Sequence, residues 1–530
     1  MAGMSGVEKV LRWIVLGGVF LLPAVALIVA DGLFFPYITG KNFVFRIIVE
    51  IISFAWLALA ICFPRYRPAR SWILGTFALF VFIMAIADLQ GVNPFKSFWS
   101  NFERMDGWIT IMHTLLVVVV AACVLNTEQL WRKFFEWSLA VSLFVSMLGI
   151  LQVGGFLDFG SGGTGLSARI DATFGNPIYL AIYMLFNVFI AALLWLQHGE
   201  KRWERSDAIT ICAGLFLPFI IVAMQSPAVA FKVFFVYIFL IGLVYGLMQT
   251  RRSAFLGVVI ALDTMTLLLT GTRGAELGLI GGAVVALVLY AFSRESSKRF
   301  KLITAGSIAT LVVLGGALYA ARDVSFVQNI GFLQRLSSIS LSDNTAQARF
   351  LNISMAWHGI EERPILGWGQ ENYAIVFDKY YDPRMYAQEQ WFDRVHNIVF
   401  DWWVAGGTLG LLAYLSIFAA TLWALWKSIA FSKREQAILV GLLVGYFIHN
   451  LTVFDNVTSY ILFASVLGYI VFRVSHAQGN KPLFAREWVS GKSLPIVASV
   501  CGLLALGSVW YVNANAYAAN LAILDGLNVR

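Results

Sequence analysis

The sequence predicts an all-α, polytopic membrane protein: a helical bundle of about 12–15 transmembrane helices with one long outward loop that contains short helices. Of its 530 residues, 59% are hydrophobic and only 13% are charged, and the mean hydropathy is +0.76. Soluble globular domains carry roughly a quarter charged residues. Apolar stretches of spanning length recur along the chain, and lysines and arginines cluster in the short segments between them. That pattern specifies topology in a bilayer.

About fifteen stretches are long enough to cross the bilayer. They lie near residues 10–30, 43–62, 72–89, 108–125, 134–154, 177–197, 208–225, 230–249, 254–271, 275–292, 301–320, 399–427, 437–452, 458–474 and 494–512. Ser226-Pro227 and the segment from Gly271 to Gly274 mark the two shortest breaks between them. If the N-terminus is cytoplasmic, every inside loop carries at least two Lys or Arg, which obeys the positive-inside rule.

This topology predicts three regions. They are residues 1–170 with the N-terminal transmembrane helices, residues 171–475 with a core that includes the outward loop 321–395, and residues 476–530 with a cytoplasmic loop, an extra transmembrane helix and the start of an outward C-terminal segment. The loop 321–395 is the longest polar connection in a chain whose other connections are short, and such loops are usually functional.

The long loop has a pattern of its own. Thr345 to Glu362 has helical spacing of apolar residues, which predicts a helix lying along the membrane surface. Arg363-Pro364 ends that helix, and Gly367 to Gly369 predicts a turn. The tyrosines and tryptophans that follow suit either an interfacial aromatic belt or stacking against sugar rings.

The formal net charge of +8 does not indicate nucleic-acid binding, because the basic residues lie in the loops that set topology. The sequence contains neither G-x-x-x-x-G-K-[ST] nor G-x-G-x-x-G, so no nucleotide site is expected. The energy for any reaction must therefore come from the substrate or from a gradient. A pre-activated lipid diphosphate would supply it, and neither a cofactor nor a metal is expected.

His396 and Asn397 stand where the long loop enters a span, in the pattern H-N-x9-G-x-x-G that ends at Gly407 and Gly410. A neutral imidazole there could take a proton from a sugar hydroxyl as a general base. Asp401 lies one helical turn beyond Asn397, which predicts an amide and a carboxylate on one face near the imidazole. The glycines would let another helix or a lipid chain approach the backbone.

Further candidates are charged residues inside apolar runs. Arg273, in T-G-T-R-G-A-E, could grip phosphate oxygens with its guanidinium fork, or it could pair with Glu276 three residues on. Lys41 and Arg46 could bind substrate, although Arg46 and Glu50 are one helical turn apart and could neutralise each other.

Two other charges point to a different class of function. Asp263 and Lys232 lie within apolar runs, where charge is costly, and they could line a proton path. They keep a lipid-linked glycan transporter as the alternative to an enzyme.

Four motifs occur in an order and spacing that resemble the O-antigen ligase and polymerase superfamily. They are F-G-N-P-I-Y-L-A at 174–181, T-G-T-R-G-A at 270–275, E-R-P-I-L-G-W-G at 362–369 and V-H-N-I-V-F-D-W-W-V-A-G-G-T-L-G-L-L at 395–412. The resemblance spans roughly residues 170–475. It implies a GT-C-like membrane glycosyltransferase that takes a glycan from a polyprenyl (undecaprenyl) diphosphate carrier on the outer face of the cytoplasmic membrane. The H-N-x9-G-x-x-G pattern is more similar to the ligases than to the polymerases.

The resemblance also implies roles for single residues. His396 would be the catalytic base of a metal-independent, inverting transfer, and Arg273 would bind the diphosphate. Arg349 and Arg363 are matched approximately and would share that task, with Asn397 as a further substrate contact. The donor would be a lipid-linked oligosaccharide, and the acceptor a lipid, a glycan or a protein. A polysaccharide polymerase and a protein O-oligosaccharyltransferase therefore remain alternatives. The chain departs from typical ligases in having more spans, including the one near 494–512.

Overall fold

The computed structural model describes residues 4–101, 104–157, 162–338, 344–387 and 390–528. Within those ranges the chain forms 20 α-helices, five short 3-10 helices and two isolated β-bridges, with no strand. The all-α prediction is confirmed. Twelve of the described helices are long and apolar enough to cross a membrane, and the bent helix α9 would make thirteen. Both numbers fall within the range that the sequence predicts.

The first ten helices are α1 Gly6–Leu21, α2 Thr39–Cys62, α3 Trp72–Leu89, α4 Pro94–Trp99, α5 Trp108–Val124, α6 Glu128–Val153, α7 Pro177–His198, α8 Arg205–Gln225, α9 Pro227–Met248 and α10 Arg252–Leu269. The other ten are α11 Arg273–Ala291, α12 Lys298–Ala320, α13 Ser325–Gln328, α14 Gly331–Ser337, α15 Asn344–Glu362, α16 Tyr373–Lys379, α17 Ile398–Lys427, α18 Lys433–Asn450, α19 Val457–Ala477 and α20 Leu494–Asn528. Helices α13 to α16 are the short helices of the long loop, and α15 covers the helix that the apolar spacing predicts.

The centre of the bundle is formed by α6, α7 and α19, whose apolar windows are almost wholly enclosed, whereas α12 and α20 are mostly exposed. Helices α11 and α18 make the closest approach, because glycines face each other across the contact. A Cβ on Gly278 would lie 2.5 Å from the carbonyl oxygen of Gly445, and one on Gly282 would lie 2.4 Å from that of Gly441. Small residues at such contacts let membrane helices pack backbone to backbone.

Loops that the charge pattern assigns to one side of the membrane contact one another. At the end that holds His396, the backbone N–H of Val92 donates to the carbonyl of Trp368 at 3.1 Å, and that of Gly331 donates to the carbonyl of Leu166 at 2.9 Å. At the opposite end, Arg67 donates to the carbonyl of Arg486 at 2.7 Å. The basic loops therefore gather at the end opposite His396.

Helix α17 is broken at Gly407, which has φ +62° and ψ −166°. The loop from Pro364 to Gly369 fills the break. The N–H groups of Trp368 and Gly369 donate to the carbonyls of Val404 and Ala405 at 2.8 and 2.9 Å, and the N–H of Thr408 donates to the carbonyl of Pro364 at 2.8 Å. These bonds pair backbone groups that a broken helix would leave without partners.

Two of the sequence motifs therefore dock on each other. A Cβ on Gly407 would lie 2.2 Å from the backbone of Ile365, and a Cβ on Gly367 would lie 2.3 Å from the carbonyl oxygen of Val404. The sequence predicts that a helix or a lipid chain approaches Gly406, Gly407 and Gly410. At Gly407 the approaching group is instead the backbone of the long loop.

Candidate active site

His396 lies on the connection immediately before α17, and its backbone adopts the left-handed conformation with φ +58°. Its ring lies between Phe392 and Phe454, with both ring centroids 5.0 Å away in edge-on geometry. Nδ1 lies 3.1 Å from the carbonyl oxygen of Arg394. A carbonyl can only accept, so Nδ1 carries the proton and the neutral ring presents Nε2 as a lone pair. Nε2 makes no hydrogen bond to the described part of the chain.

The side chain of Arg394 is clamped between two carboxylates. Its Nε and Nη2 donate to Asp401 at 3.0 and 2.6 Å, and its Nη1 donates to Glu371 at 2.9 Å. All three residues are buried. Glu371, like His396, has a positive φ, at +64°. The carboxylate predicted to lie near the imidazole makes no hydrogen bond to it among the described residues: Asp401 binds Arg394 and accepts from the backbone N–H of Val395 at 3.2 Å.

The charges around this junction set its protonation. Burial lowers the pKa of His396 to about 4, and the nearby Arg349 and Arg104 act in the same direction. Burial opposes the charge of Arg394, but Asp401 and Glu371 outweigh it and hold the pKa of that guanidinium above its ordinary value. The imidazole is therefore neutral at pH 7, the form that a base requires.

A second arginine ties the junction to the loop between α3 and α5. Arg104 binds Asp393 through two hydrogen bonds of 2.7 and 3.0 Å. The guanidinium groups of Arg104 and Arg394 both lie over the ring of Phe454, at 4.5 and 4.8 Å from its centroid. The same ring contacts His396, so Phe454 separates the imidazole from these two cations while all three pack on it.

A cluster of three arginines, Arg169, Arg273 and Arg335, surrounds the turn between α10 and α11. Arg169 donates to the carbonyl of Thr270 at 2.8 Å, and Arg273 donates to the carbonyl of Arg335 at 2.8 Å. The side chain of Arg335 packs over Gly271, where a Cβ would come within 3.0 Å of it. Burial, Arg335 and Arg273 lower the pKa of Arg169 to about 10, whereas Glu276 acts in the opposite direction.

Glu276 is the carboxylate that interacts with all three arginines of this cluster. Both of its oxygens are enclosed and make no hydrogen bond to the described residues. The predicted alternative, a structural Arg273–Glu276 pair, is therefore not a hydrogen-bonded pair. Arg273 uses its side chain on the α14 region instead, with a second bond of 3.0 Å to Ser338.

The arginine cluster and the His396 junction meet at the connection between α18 and α19. A Cβ on Gly274 would lie 2.1 Å from the hydroxyl of Thr452, so the turn at Arg273 packs directly on this connection. From the other side, the side-chain amide of Asn397 donates to the carbonyl of Leu451 at 3.0 Å. Leu451 therefore contacts the His396 junction, and its neighbour Thr452 contacts the turn that carries Arg273.

The structure gives the remaining loop candidates these positions. The side-chain oxygen of Asn397 caps α17 by accepting from the N–H groups of Val399 and Phe400. Its side-chain nitrogen donates to Leu451, so both polar atoms of this amide are bonded within the protein. Arg349, on α15, is close enough to lower the pKa of His396. Arg363 stacks on the ring of Trp368 at 4.5 Å, beside the break in α17.

Lys41 lies buried in the first turn of α2 and donates to three carbonyls, those of Ile28, Tyr37 and Thr173, at 2.6 to 2.8 Å. These bonds use all three ammonium protons. The structure therefore gives Lys41 a role in joining α2 to two loops.

Arg46 is also fully buried and donates to the carbonyl of Met105 and the hydroxyl of Thr110. Its Nε and Nη1 have no partner among the described residues. The carboxylate of Glu50 binds His113 and Asn513, so the alternative in which Arg46 and Glu50 neutralise each other directly is not the contact observed.

Sequence reasoning missed four residues of this region: Arg169, Arg335, Glu371 and Arg394. A usable signal existed for Arg394, because D-R-V-H-N places an arginine and an acid immediately before the histidine. No local pattern marks Arg169, which reaches the cluster from a different loop.

Comparison of the sequence with known proteins gives one match and one negative result. No curated protein matches the chain. Residues 256–415 match the model of a protein family described as O-Antigen ligase, and this region includes Arg273, Arg349 and His396. The expected resemblance of this multi-pass membrane protein to the O-antigen ligase superfamily is thereby confirmed.

Proposed function

We propose that this protein is a membrane glycosyltransferase that moves a glycan from a polyprenyl diphosphate carrier to an acceptor hydroxyl, on the outer face of the cytoplasmic membrane. One observation carries the proposal: an imidazole whose Nδ1 proton is fixed on a carbonyl and a cluster of three arginines are both held against the connection between α18 and α19. A glycosyl transfer needs a base for the acceptor hydroxyl and a cationic site for the departing diphosphate, and this arrangement supplies both.

His396 acts on the acceptor. Nε2 takes the proton of the acceptor hydroxyl as its oxygen attacks the anomeric carbon of the glycan. The bond between that carbon and the diphosphate oxygen breaks, and its electron pair leaves with the polyprenyl diphosphate. Attack from the face opposite the leaving group inverts the anomeric centre. The imidazolium then returns its proton to water, which its low pKa favours.

The arginine cluster acts on the donor. A diphosphate gains negative charge as it leaves, and guanidinium groups match phosphate oxygens in both charge and geometry. Such an anion would stabilise three neighbouring guanidinium groups, for which Glu276 supplies part of the opposite charge. We assign Arg273 and its neighbours Arg169 and Arg335 to this task, with Arg349 close to the base. These groups supply the required charge without a metal ion.

The acceptor is a lipid, a glycan or a protein hydroxyl. Residues 256–415 match the O-Antigen ligase model, and the H-N-x9-G-x-x-G pattern favours the ligase form, so a lipid-linked acceptor is the leading choice. A polysaccharide polymerase and a protein O-oligosaccharyltransferase would use the same base and the same arginines and differ only in this acceptor.

The transporter alternative rests on Asp263 and Lys232. The two carboxyl oxygens of Asp263 each lie 2.8 Å from a hydroxyl, those of Ser142 and Ser146, and these contacts provide a structural reason for a buried carboxyl group. Lys232 is exposed near the start of α9, where a long side chain can extend to the interface. These contacts favour the enzyme over the transporter.

The test is a transfer assay with purified protein. A polyprenyl-diphosphate oligosaccharide is incubated with a panel of lipid, glycan and protein acceptors, and the products are identified by mass spectrometry. We expect His396→Ala to slow transfer by roughly 100- to 10,000-fold, the usual contribution of a general base, and Arg273→Ala to slow it strongly as well. His358→Ala is the matched control, because His358 lies half-exposed on α15 in the same loop and contacts only Glu361 and the ring of Tyr380 among the described residues.

Wild-type rates of transfer in His396→Ala, with correct folding confirmed, would refute the mechanism. Movement of a labelled lipid-linked glycan across proteoliposomes with its linkage intact would instead support the transporter. The acceptor that becomes glycosylated decides between ligase, polymerase and protein glycosylation.

A further inference from the structure

At the end of the bundle opposite His396, a crevice of about 350 Å³ opens between α1 and the start of α6. One face of α1 forms most of its wall: Lys9, Arg12, Leu16 and Phe20 recur at three- to four-residue spacing and therefore lie in a row along the helix. Lys133 of α6 lies opposite. The basic residues stand in the first two turns of both helices, together with Met4 and Leu130, and Leu16, Gly17 and Phe20 lie further along α1.

Three cations, Lys9, Arg12 and Lys133, line this crevice, and none of its described lining residues is acidic. None of the three forms an ion pair with a described residue. The Nε of Arg12 is enclosed and has no hydrogen-bond partner there. Glu8 is the adjacent acid in the sequence, but its carboxylate is used by Arg65 and by the hydroxyl of Tyr66 at 2.8 Å.

The part of the crevice further along α1 is apolar and has spare room. A Cβ built on Gly17 would meet nothing within 4 Å, so this glycine leaves a gap rather than a close helix contact. Phe20 forms the far end and packs edge-on against Phe134, with 5.7 Å between ring centroids. Trp13 is 63% exposed beside the basic residues, a position typical of the membrane interface.

We propose that this crevice binds an anionic glycerophospholipid, with its phosphate among Lys9, Arg12 and Lys133 and an acyl chain along Gly17 towards Phe20. Unpaired cations beside an apolar slot at a membrane boundary need an anion that also carries hydrocarbon, and basic pockets between transmembrane helices recognise lipid headgroups in this way. The site is independent of glycan transfer, because it lies at the other end of the bundle.

The experiment measures lipid binding by the full chain in detergent. Purified protein is titrated with phosphatidylglycerol or phosphatidylcholine, and native mass spectrometry counts the bound lipids. We expect preferential retention of phosphatidylglycerol. The double variant Arg12→Gln/Lys133→Gln should bind it more weakly, by about fivefold for each cation removed. Gly17→Leu keeps every cation and fills the gap, and it should lose the lipid as well.

The control is Arg70→Gln/Lys481→Gln, which removes two cations from loops at the same end but outside the crevice, and it should bind like the wild type. Equal binding of the two lipids, equal loss in the control, or undiminished binding by Gly17→Leu would each overturn the proposal. If the double charge variant fails to fold, Gly17→Leu decides, since the crevice has room for its side chain.

Discussion

The Nδ1 of His396 donates to the backbone carbonyl oxygen of Arg394, two residues earlier, at 3.1 Å. The bond is possible because the backbone of His396 is left-handed, a conformation that non-glycine residues adopt at a cost of about 1–3 kcal/mol when the surroundings enforce it. What enforces it is the clamp of Asp401 and Glu371 on Arg394. The tautomer of the proposed base is thus fixed by a buried ion cluster that does not touch the imidazole.

The first prediction concerns pH. Because burial lowers the pKa of His396 to about 4, the neutral base is present throughout pH 6 to 8 and is lost only as pH falls through that value. The acid limb of kcat/KM for glycan transfer should therefore lie well below pH 6.5. Arg349→Gln removes a cation that lowers this pKa and should move the limb upward. A limb at or above pH 6.5 in the wild type would contradict the assignment.

The second prediction concerns the clamp. Asp401→Asn leaves the buried Arg394 paired with Glu371 alone and weakens its hydrogen bonds to residue 401, and a hydrogen bond to a charged group contributes about 1.5–3 kcal/mol. We expect a lower thermal midpoint and a fall in kcat of roughly 10- to 100-fold, with a smaller change in KM, because the base is displaced. The double variant Asp401→Asn/His396→Ala should transfer no more slowly than His396→Ala alone. An additive loss would mean that Asp401 acts independently of the histidine.

The third prediction concerns the arginine cluster. Arg169→Gln and Arg335→Gln should each raise KM for the lipid diphosphate donor, since each removes a cation from the proposed anion site. A kinetic titration with donor at fixed acceptor measures this. Arg384→Gln is the matched control, because Arg384 lies in the same long loop but is exposed and paired with Asp382. Equal effects in the control would point to general charge instead of a site.

The fourth prediction concerns the broken helix. In Gly407→Ala, the new Cβ would meet the backbone of Ile365 at 2.2 Å, at a residue whose φ of +62° already disfavours a side chain. The loop from Pro364 to Gly369 should undock, which lowers both the thermal midpoint and the yield of folded protein. Gly242→Ala is the control, since a Cβ there meets nothing within 4 Å. A fully stable Gly407→Ala protein would show that the docking is dispensable.

The sequence predicts the bundle well because hydropathy and loop charge are local signals. Most spans are long and apolar enough to be recognised alone, although α5 and α18 are not among the twelve candidate spans. Even the short breaks at Ser226 and at Gly271 to Gly274 separate α8 from α9 and α10 from α11 in the structure. His396 and Arg273 can also be identified from the sequence, because each is a polar residue at the end of an apolar run.

The rest of the site depends on contacts between distant segments. Glu371 and Arg394 are 23 residues apart along an irregular loop, and Arg169 reaches Thr270 across 101 residues. Neither distance leaves a periodic pattern. Gly407 shows the same limit: its motif indicates close packing, but only the fold reveals that the partner is the backbone of E-R-P-I-L-G-W-G.

The last prediction concerns Asp263. Ser142 Oγ lies 3.0 Å from the carbonyl oxygen of Leu139 and 2.8 Å from Asp263 Oδ2, and a hydroxyl has one proton. Leu139 can only accept, so both contacts are hydrogen bonds if Asp263 is a carboxylic acid that donates to Ser142 and accepts from Ser146. An amide has the same donor and acceptor pattern.

Asp263→Asn should therefore keep wild-type transfer and a wild-type thermal midpoint, whereas Asp263→Ala leaves two buried hydroxyls with fewer partners and should cost about 1–3 kcal/mol. Transfer assays and thermal unfolding in detergent measure both. A carrier of protons or cations could not tolerate the amide, because it has no proton to exchange and no charge to offer. Loss of function in a stable Asp263→Asn protein would therefore favour the transporter over the enzyme.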